Sequence, residues 1–253
     1  MRALPSLALA VIVGLGLLTA CASTPTPAES DAQPVTAAEA ELLAAARFRN
    51  FDAGTRAVSF DVEEDGRALH LAGWFDYATH TGYGALTADG APNALTLWNA
   101  TAIAVHAPLS TGAGAAAPLP IPDAAPLDDA WRSAPLAGAR SRLHSMLQVI
   151  ASLGTDRPDN PLLLRQGGAL TLGHDSIEGT DVTVFAGPVS DSALPAGQSA
   201  DPEASTTRFW LDAEGVMRQA AVRLGGSGPW HEIAFADASG VDLGDPFARA
   251  AAG

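Results

Sequence analysis

The sequence has one cysteine and no lysine among its 253 residues. A single thiol cannot form an intramolecular disulfide, so a domain built from this chain must be stabilised by a packed core. All 14 basic residues are arginines and they stand against 28 acidic residues, which gives a formal net charge of −14. A surface of this sign repels phosphate backbones and anionic headgroups. The composition therefore disfavours nucleic-acid binding and purely electrostatic docking to a membrane.

The apolar segment at the N-terminus, residues 7–18, is short. It is too short to cross a hydrocarbon core of roughly 30 Å as a permanent helix. Arg2 precedes it and Leu18-Thr19-Ala20-Cys21 closes it, which is typical of a bacterial lipoprotein signal. We therefore predict a signal peptide over residues 1–20, lipidation at Cys21, and attachment to the outer face of the cell membrane through acyl chains. The alternative is an ordinary secretory signal in which the cysteine is incidental.

Residues 21–35 are small, polar and proline-bearing, which predicts a flexible linker, and residues 36–253 are predicted to form one domain. Val58, Phe60 and Val62 alternate with polar residues up to the turn signal Asp65-Gly66, as in a half-buried strand. Three similar runs follow with short connections, which predicts an antiparallel meander. The same pattern returns in the C-terminal half, for roughly seven to nine strands in all. We expect an α+β domain with a curved antiparallel β-sheet whose concave face is covered by helices.

Three helical segments are predicted between and before these strands. Thr36 and Glu39 form a capping box at the start of Ala37 to Phe48. A second helix carries an apolar stripe from Leu143 to Ile150 that must cover another element. Asn160-Pro161 begins a third, short helix whose leucines at 162–164 are expected to form a buried plug.

Several short motifs of the C-terminal half resemble those of the actinobacterial LppX/LprG-type lipoproteins of the LolA-like superfamily. They are Asn160-Pro161, Gly167, Gly173, Glu178-Gly179-Thr180, Val184-Phe185-Ala186-Gly187, the run from Phe209 to Gly215, and the stretch from Arg218 to Leu224. The resemblance covers roughly residues 36–243 and implies a half-barrel of antiparallel strands closed by helices over an apolar cavity. In that family the cavity holds the acyl chains of lipids. Fold analogy alone does not establish an activity.

An apolar ligand would need a cavity between the sheet and the Leu143–Ile150 stripe. The predicted lining consists of strand and helix residues with large apolar side chains: Phe60, Leu71, Phe75, Leu97, Leu143, Met146, Leu147 and Ile150. The aromatic residues on the strands, among them Trp74, Trp98, Trp210 and Trp230, could line the same cavity. The alternative reading is plain sheet packing, because a filled core uses the same residue types.

Motifs for catalysis, cofactors or metals are weak in this sequence. The six histidines show no metal-ligand pairing of the H-E-x-x-H kind, so we predict no metal site. The run His174-Asp175-Ser176 is not a catalytic triad, since adjacency in sequence does not bring three side chains together in space. The Gly225–Gly228 segment lacks the strand-to-helix context and the lysine of a phosphate loop. We therefore predict no catalytic residues and no cofactor.

Two functions of different classes remain. The first is a membrane-anchored lipoprotein that binds or carries an apolar, lipid-type ligand without being an enzyme. The second is an envelope interaction or sensory lipoprotein with a fully packed core that acts through a protein partner. A hydrolase is a third, weaker alternative, since it would need a polar cluster that the sequence does not display.

Overall fold

The computed structural model describes residues 32–106, 117, 119, 131–136, 141–195, 199–226 and 228–244. The predicted signal peptide, the acceptor Cys21 and most of the linker lie outside these residues, as does most of the proline- and alanine-rich stretch around 107–126. The signal, the lipidation and the linker therefore stay predictions. That residues 36–253 form one domain also stays a prediction.

Within the described residues, twelve strands form one sheet. The N-terminal strands are β1 (Gln33–Pro34), β2 (Thr55–Glu64), β3 (Arg67–Asp76), β4 (Thr81–Ala88), β5 (Ala91–Trp98), β6 (Ala102–His106) and β7 (Trp131–Pro135). The C-terminal strands are β8 (Leu170–Ile177), β9 (Thr180–Ala186), β10 (Thr207–Leu211), β11 (Met217–Arg223) and β12 (Trp230–Asp237). Their order across the sheet is β1-β8-β9-β10-β11-β12-β2-β3-β4-β5-β6-β7. Every neighbouring pair is antiparallel.

The predicted fold class, an α+β domain with a curved antiparallel sheet and helices on its concave face, is confirmed. The β2–β3 hairpin shows why the period of two was informative. Its turn places Asp65 and Gly66 at φ values of 51° and 75°, the left-handed region that the Asp-Gly pair tolerates. The register then pairs Phe60 with Leu71, and both side chains are buried on the same face. The predicted count of seven to nine strands is too low, because β1, β6, β7 and β8 carry no strong alternation.

Three helices pack on one face of the sheet, which we call the helix face. They are α1 (Ala37–Asp52), α2 (Arg142–Ser152) and α3 (Pro161–Gln166). The predicted capping box of α1 is present: Glu39 N donates to Thr36 Oγ1 at 3.2 Å, and Thr36 N donates to Glu39 Oε2 at 2.8 Å. At the start of α2, the backbone N of Leu143 donates to the Glu64 carboxylate at 2.9 Å, so the β2–β3 hairpin fixes this helix end.

The main core lies between the helices and the sheet. It contains the buried side chains of α1 and α2 and every second residue of β2, β3 and β12, for example Val58, Phe75 and Ile233. Each such side chain contributes roughly 1.5–3 kcal/mol relative to full exposure. The opposite side of the sheet, the helix-free face, carries two smaller clusters. One surrounds Tyr83 and Leu97, and the other surrounds Val184 and Trp210.

One buried charge connects α1 to the sheet. The side chain of Arg56, at the start of β2, donates to Asn50 Oδ1 at 2.9 Å, to the carbonyl oxygen of Met217 at 3.0 Å and to that of Ala236 at 3.1 Å. Burial lowers the pKa of this guanidinium, which nevertheless stays charged at physiological pH. Because its hydrogen bonds join α1, β11 and β12, Arg56 fixes the position of α1 over the sheet.

Candidate functional site

The residues predicted to line a ligand cavity separate into two groups. Seven of them lie in the main core beneath α2, namely Phe60, Leu71, Phe75, Leu143, Met146, Leu147 and Ile150. Leu97 lies on the helix-free face with Tyr83 and Trp131. Successive side chains on a strand point to opposite faces of the sheet. Because Trp98, the next residue on β5, faces the main core, Leu97 faces the other way and does not contact the other seven residues.

The seven side chains at the interface between α2 and the sheet pack against one another. Leu71, Phe75, Met146, Leu147 and Ile150 each have 0% of their surface exposed to water. Neither the concave region of about 320 Å³ nor that of about 550 Å³ on the described residues is lined by any of these seven side chains. In this conformation the region beneath α2 is a packed core, and a ligand among these residues stays a prediction.

A pocket of about 320 Å³ lies elsewhere on the helix face, between α1, α3 and strands β10 and β11. We call it the α1–α3 pocket. Its lining is mostly apolar and includes Leu43, Ala46, Leu164, Phe209 and Met217. The volume falls at the lower end of the range for small-molecule sites, which are concave and lined chiefly by apolar side chains.

Four polar side chains also line the α1–α3 pocket, those of Arg47, Asp159, Asp191 and Thr207. Arg47 Nη1 is 3.1 Å from Asp159 Oδ1, and both side chains are about one-third exposed. Arg47 Nε also donates to the carbonyl oxygen of Ser152 at 3.0 Å, and Asp159 N donates to that of Ala44 at 2.9 Å. These bonds hold the segment before α3 against the middle of α1. The pocket thus combines apolar side chains with a partly exposed ion pair and the carboxylate of Asp191.

Sequence reasoning missed this pocket because it follows from side-chain volume rather than from periodicity. The buried side of α1 is formed by Ala40, Leu43, Ala44, Ala46 and Asn50. Three of these five side chains are single methyl groups, so the helix lies over the sheet without filling the space above β10 and β11. A run of small residues on the buried side of a helix was the available signal.

The leucines of α3 do not form the predicted buried plug. Leu162 and Leu163 are 54% and 55% exposed, and Leu164 alone among the three contributes to the pocket lining. The short helix begins at the Asn160 cap, whose Oδ1 accepts from Leu162 N at 2.9 Å. Six residues amount to less than two turns, so only one of three consecutive side chains can face the sheet.

A second concave region lies on the helix-free face, and we call it the β2–β3 groove. Its volume is about 550 Å³. Its floor consists of small residues of β2, β3 and β12, among them Ala57, Ser59 and Ala72, and Trp74 forms part of its wall. Glu178 from the β8–β9 turn and Arg218 also border it, and Arg218 is bound to Asp212 at 2.7 Å.

The remaining tryptophans have structural surroundings. Trp98 is buried in the main core beside Phe75, with ring centroids 5.9 Å apart. Trp230 lies between the guanidinium groups of Arg208 and Arg223, at 4.5 and 4.4 Å from its ring. Trp210 is buried in the cluster around Val184. Trp74, by contrast, borders the β2–β3 groove.

The polar residues considered for catalysis are dispersed. His174 Nδ1 is 3.4 Å from Thr183 Oγ1, whereas Asp175 accepts a 3.4 Å hydrogen bond from Trp210 Nε1 and a 2.8 Å bond from the backbone of Ser176. His174 and Asp175 thus have different partners. Among the residues that the structure describes, no group of three or more histidine, cysteine or acidic side chains is placed to hold a metal ion.

No protein-family profile matches this chain, and no curated protein matches its sequence. In the described part of the chain, none of the helices has the length and apolar character that a membrane-spanning helix requires.

The solved structures that are similar to the chain include the following three. The lipoprotein LppX of Mycobacterium tuberculosis has 15% identity and a TM-score of 0.40, with 78% of this chain and 94% of that chain covered. A DUF1329 family protein from Desulfovibrio piger has 11% identity and a TM-score of 0.29, with 81% and 92% covered. A domain described as an outer membrane lipoprotein-sorting protein, from Vibrio parahaemolyticus, has 11% identity and a TM-score of 0.23, with 80% and 92% covered.

Proposed function

We propose that this protein is a lipid-anchored envelope protein that binds an apolar ligand, of the acyl-chain type, in the α1–α3 pocket. The observation that carries the proposal is the pocket itself: an apolar space of about 320 Å³ between helices and sheet, in a fold whose core beneath α2 is otherwise filled. The signal peptide predicted over residues 1–20, directly before Cys21, supports the location. The protein acts by binding, without covalent catalysis.

The pocket's chemistry suits one end of an amphipathic molecule better than a polar metabolite. Leu43, Phe209 and Met217 offer only apolar contacts, and the charged groups of the lining are the partly exposed Arg47–Asp159 ion pair and Asp191. An acyl chain would displace poorly held water from the interior and leave its polar end near the ion pair.

The test is the binding of a fluorescent fatty acid, cis-parinaric acid, to delipidated full-length protein. Ala46→Phe places a ring in the pocket and is expected to weaken binding about tenfold or more, since the apolar space is lost. Ala38→Phe, on the exposed side of the same helix, is the matched control and should bind as the parent does. Circular dichroism of each variant checks that the fold is kept.

Phe209→Trp provides a second way to reduce the pocket, from the sheet side. Absence of probe uptake by the parent protein, or unchanged affinity in both pocket variants, would refute the proposal. If Leu143→Phe weakens binding while the pocket variants do not, the ligand lies beneath α2, among the residues predicted from the sequence.

The second candidate is an interaction lipoprotein, and the β2–β3 groove favours it. This groove is larger than the α1–α3 pocket and holds an exposed concave surface beside Trp74. A protein partner that co-purifies in stoichiometric amount, is lost from Ala72→Trp and is retained by Ala46→Phe would favour this function over ligand binding.

A further inference from the structure

We propose that α3 is the part of the domain that contacts the membrane, with Leu162 and Leu163 entering the interface of an anionic bilayer and Arg157 and Arg165 contacting its headgroups. This inference rests on the lipid anchor in the proposed function. It adds an orientation, since an anchor by itself leaves the domain free to rotate.

The first observation is the exposed leucine pair. Leu162 and Leu163 are adjacent, lie on a helix with well-formed caps, and are each more than half exposed. The other large hydrophobic side chain with comparable exposure among the described residues, Leu119, is isolated from them in sequence. Scattered single apolar residues are normal on a protein surface, whereas a paired apolar projection is typical of a contact surface.

The second observation is the local charge. Arg157 and Arg165 flank the leucine pair in sequence and are both exposed. Neither forms an ion pair with another residue in the described ranges, unlike Arg47, which is held by Asp159. Asp156 adjoins Arg157, and Asp191 lines the α1–α3 pocket beside Leu164 of α3, so the local charge is mixed rather than uniformly acidic as on the chain as a whole. An exposed guanidinium group attracts anionic headgroups over about one Debye length.

The third observation is where the predicted tether joins the domain. Pro34 of β1 pairs with Leu170 of β8, and Val35 N donates to the carbonyl oxygen of Ala169 at 3.3 Å. Leu170 follows the end of α3 by four residues. The tether therefore enters the domain next to α3. The twelve residues from Cys21 to Ala32 span at most about 40 Å when fully extended.

The α1–α3 pocket lies directly beneath this surface, because Leu164 of α3 forms part of its lining. Contact through Leu162 and Leu163 would bring the pocket close to the bilayer, the source of an apolar ligand. Leu162 and Leu163 of α3 would then contact the membrane, and Leu164 of the same helix would line the pocket.

The experiment uses the acylated full-length protein in vesicles of phosphatidylcholine with phosphatidylglycerol. Because the one natural cysteine carries the lipid, a cysteine introduced by Leu163→Cys can be labelled selectively with an environment-sensitive dye. The matched control is Thr79→Cys in the exposed β3–β4 turn. This turn lies at the end of the sheet opposite to α3. Helix α1 starts beside Leu170, close to α3, and runs along the sheet to the start of β2. Thr55 at the start of β2 pairs with Asp76, the residue that precedes the β3–β4 turn.

The proposal predicts that spin-labelled lipids quench the dye at 163 about threefold or more strongly than the dye at 79. Adding Arg157→Glu and Arg165→Glu should lower quenching at 163 to its level in vesicles of phosphatidylcholine alone. Equal quenching at the two positions would overturn the membrane contact while leaving the anchor intact. A protein that does not float with the vesicles would instead refute the anchor, and with it the envelope attachment on which both proposals depend.

Discussion

Helices α1 and α2 pack on the same face of the sheet, but they differ in how fully their side chains fill the space between helix and sheet. Beneath α2 the buried residues are Leu143, Met146, Leu147, Ile150 and Ala151, four of them large, and the sheet supplies Leu71 and Phe75 against them. Beneath α1 three of the five buried residues are alanines, and a pocket remains above β10 and β11. Both helices are amphipathic and both are well capped.

The difference shows that the position of a helix and the filling of the space beneath it are set by different properties of the sequence. Capping and the placement of apolar residues determine where each helix lies. The volume of the buried side chains determines whether the interface is closed, since protein interiors are packed almost as densely as organic crystals. The α2 region therefore provides stability, and the α1–α3 region provides space.

The largest expected loss of stability comes from a substitution in the α2 region. Leu147→Ala removes a completely buried side chain from the α2 interface and is expected to lower the free energy of unfolding by about 2–5 kcal/mol. Urea denaturation followed by circular dichroism measures it. A loss below about 1 kcal/mol would mean that the α2 region is not densely packed, and the comparison would fail.

A glycine at the end of α2 provides the next test. A Cβ atom at Gly154 would overlap the ring of Tyr77, which is completely buried beside Phe75. Because a buried ring cannot move aside, Gly154→Ala is expected to cost about 1–3 kcal/mol in the same denaturation assay. The control is Gly240→Ala, where a Cβ has nothing within 4 Å and stability should change little.

A smaller loss is expected on the pocket side. Leu164 is half-buried and already borders open space, so Leu164→Ala should lower the free energy of unfolding by about 1 kcal/mol, well below the loss for Leu147→Ala. The two variants are best measured side by side in urea. Equal losses would show that the α1–α3 interface is as tightly filled as the α2 interface.

The smallest effect is a pH dependence located near the start of α2. Burial lowers the pKa of His231 below 6.5, and the nearby Arg142 acts in the same direction. The unfolded chain therefore binds a proton at this residue more readily than the folded protein does. The contribution of His231 to stability is expected to fall as the pH drops through about 6.5, and to level off once the folded state is also protonated.

His231→Gln should remove this component. The measurement is the difference in free energy of unfolding between the parent protein and the variant at pH 7.5 and at lower pH, in steps of roughly half a unit, because linkage relates its slope to proton uptake. A difference that does not change with pH would contradict the assignment.

Several elements were predictable from local rules. The β2–β3 hairpin followed from alternation and an Asp-Gly turn, and α1 followed from the Thr36 and Glu39 capping box. Strands β6 and β7 escaped prediction because their sequences, AIAVH and WRSAP, show no clear alternation of apolar and polar residues. Strand β10 is equally short, but its alternating Phe209 and Leu211 made it recognisable.

The candidate site was less predictable than the fold. The stripe of Met146, Leu147 and Ile150 was correctly placed against the sheet, yet apolar residues at helical spacing are equally typical of a filled core and of a ligand cavity. Leu162 and Leu163 were expected to be buried, because hydrophobicity alone does not show which side of a six-residue helix faces the solvent. Which space stays open depends on the volumes of residues far apart in sequence, such as Ala46 and Phe209.

The sheet is open, so its two margins are places where unpaired amides could recruit strands from another molecule. At one margin this is limited by β1, which has only two residues, one of them Pro34, which has no amide proton to donate. The segment that covers the outer side of β8 is also the last part of the predicted tether. Proteolysis between Ala32 and Val35 would therefore separate the domain from the predicted lipid anchor and also expose the unpaired edge of β8.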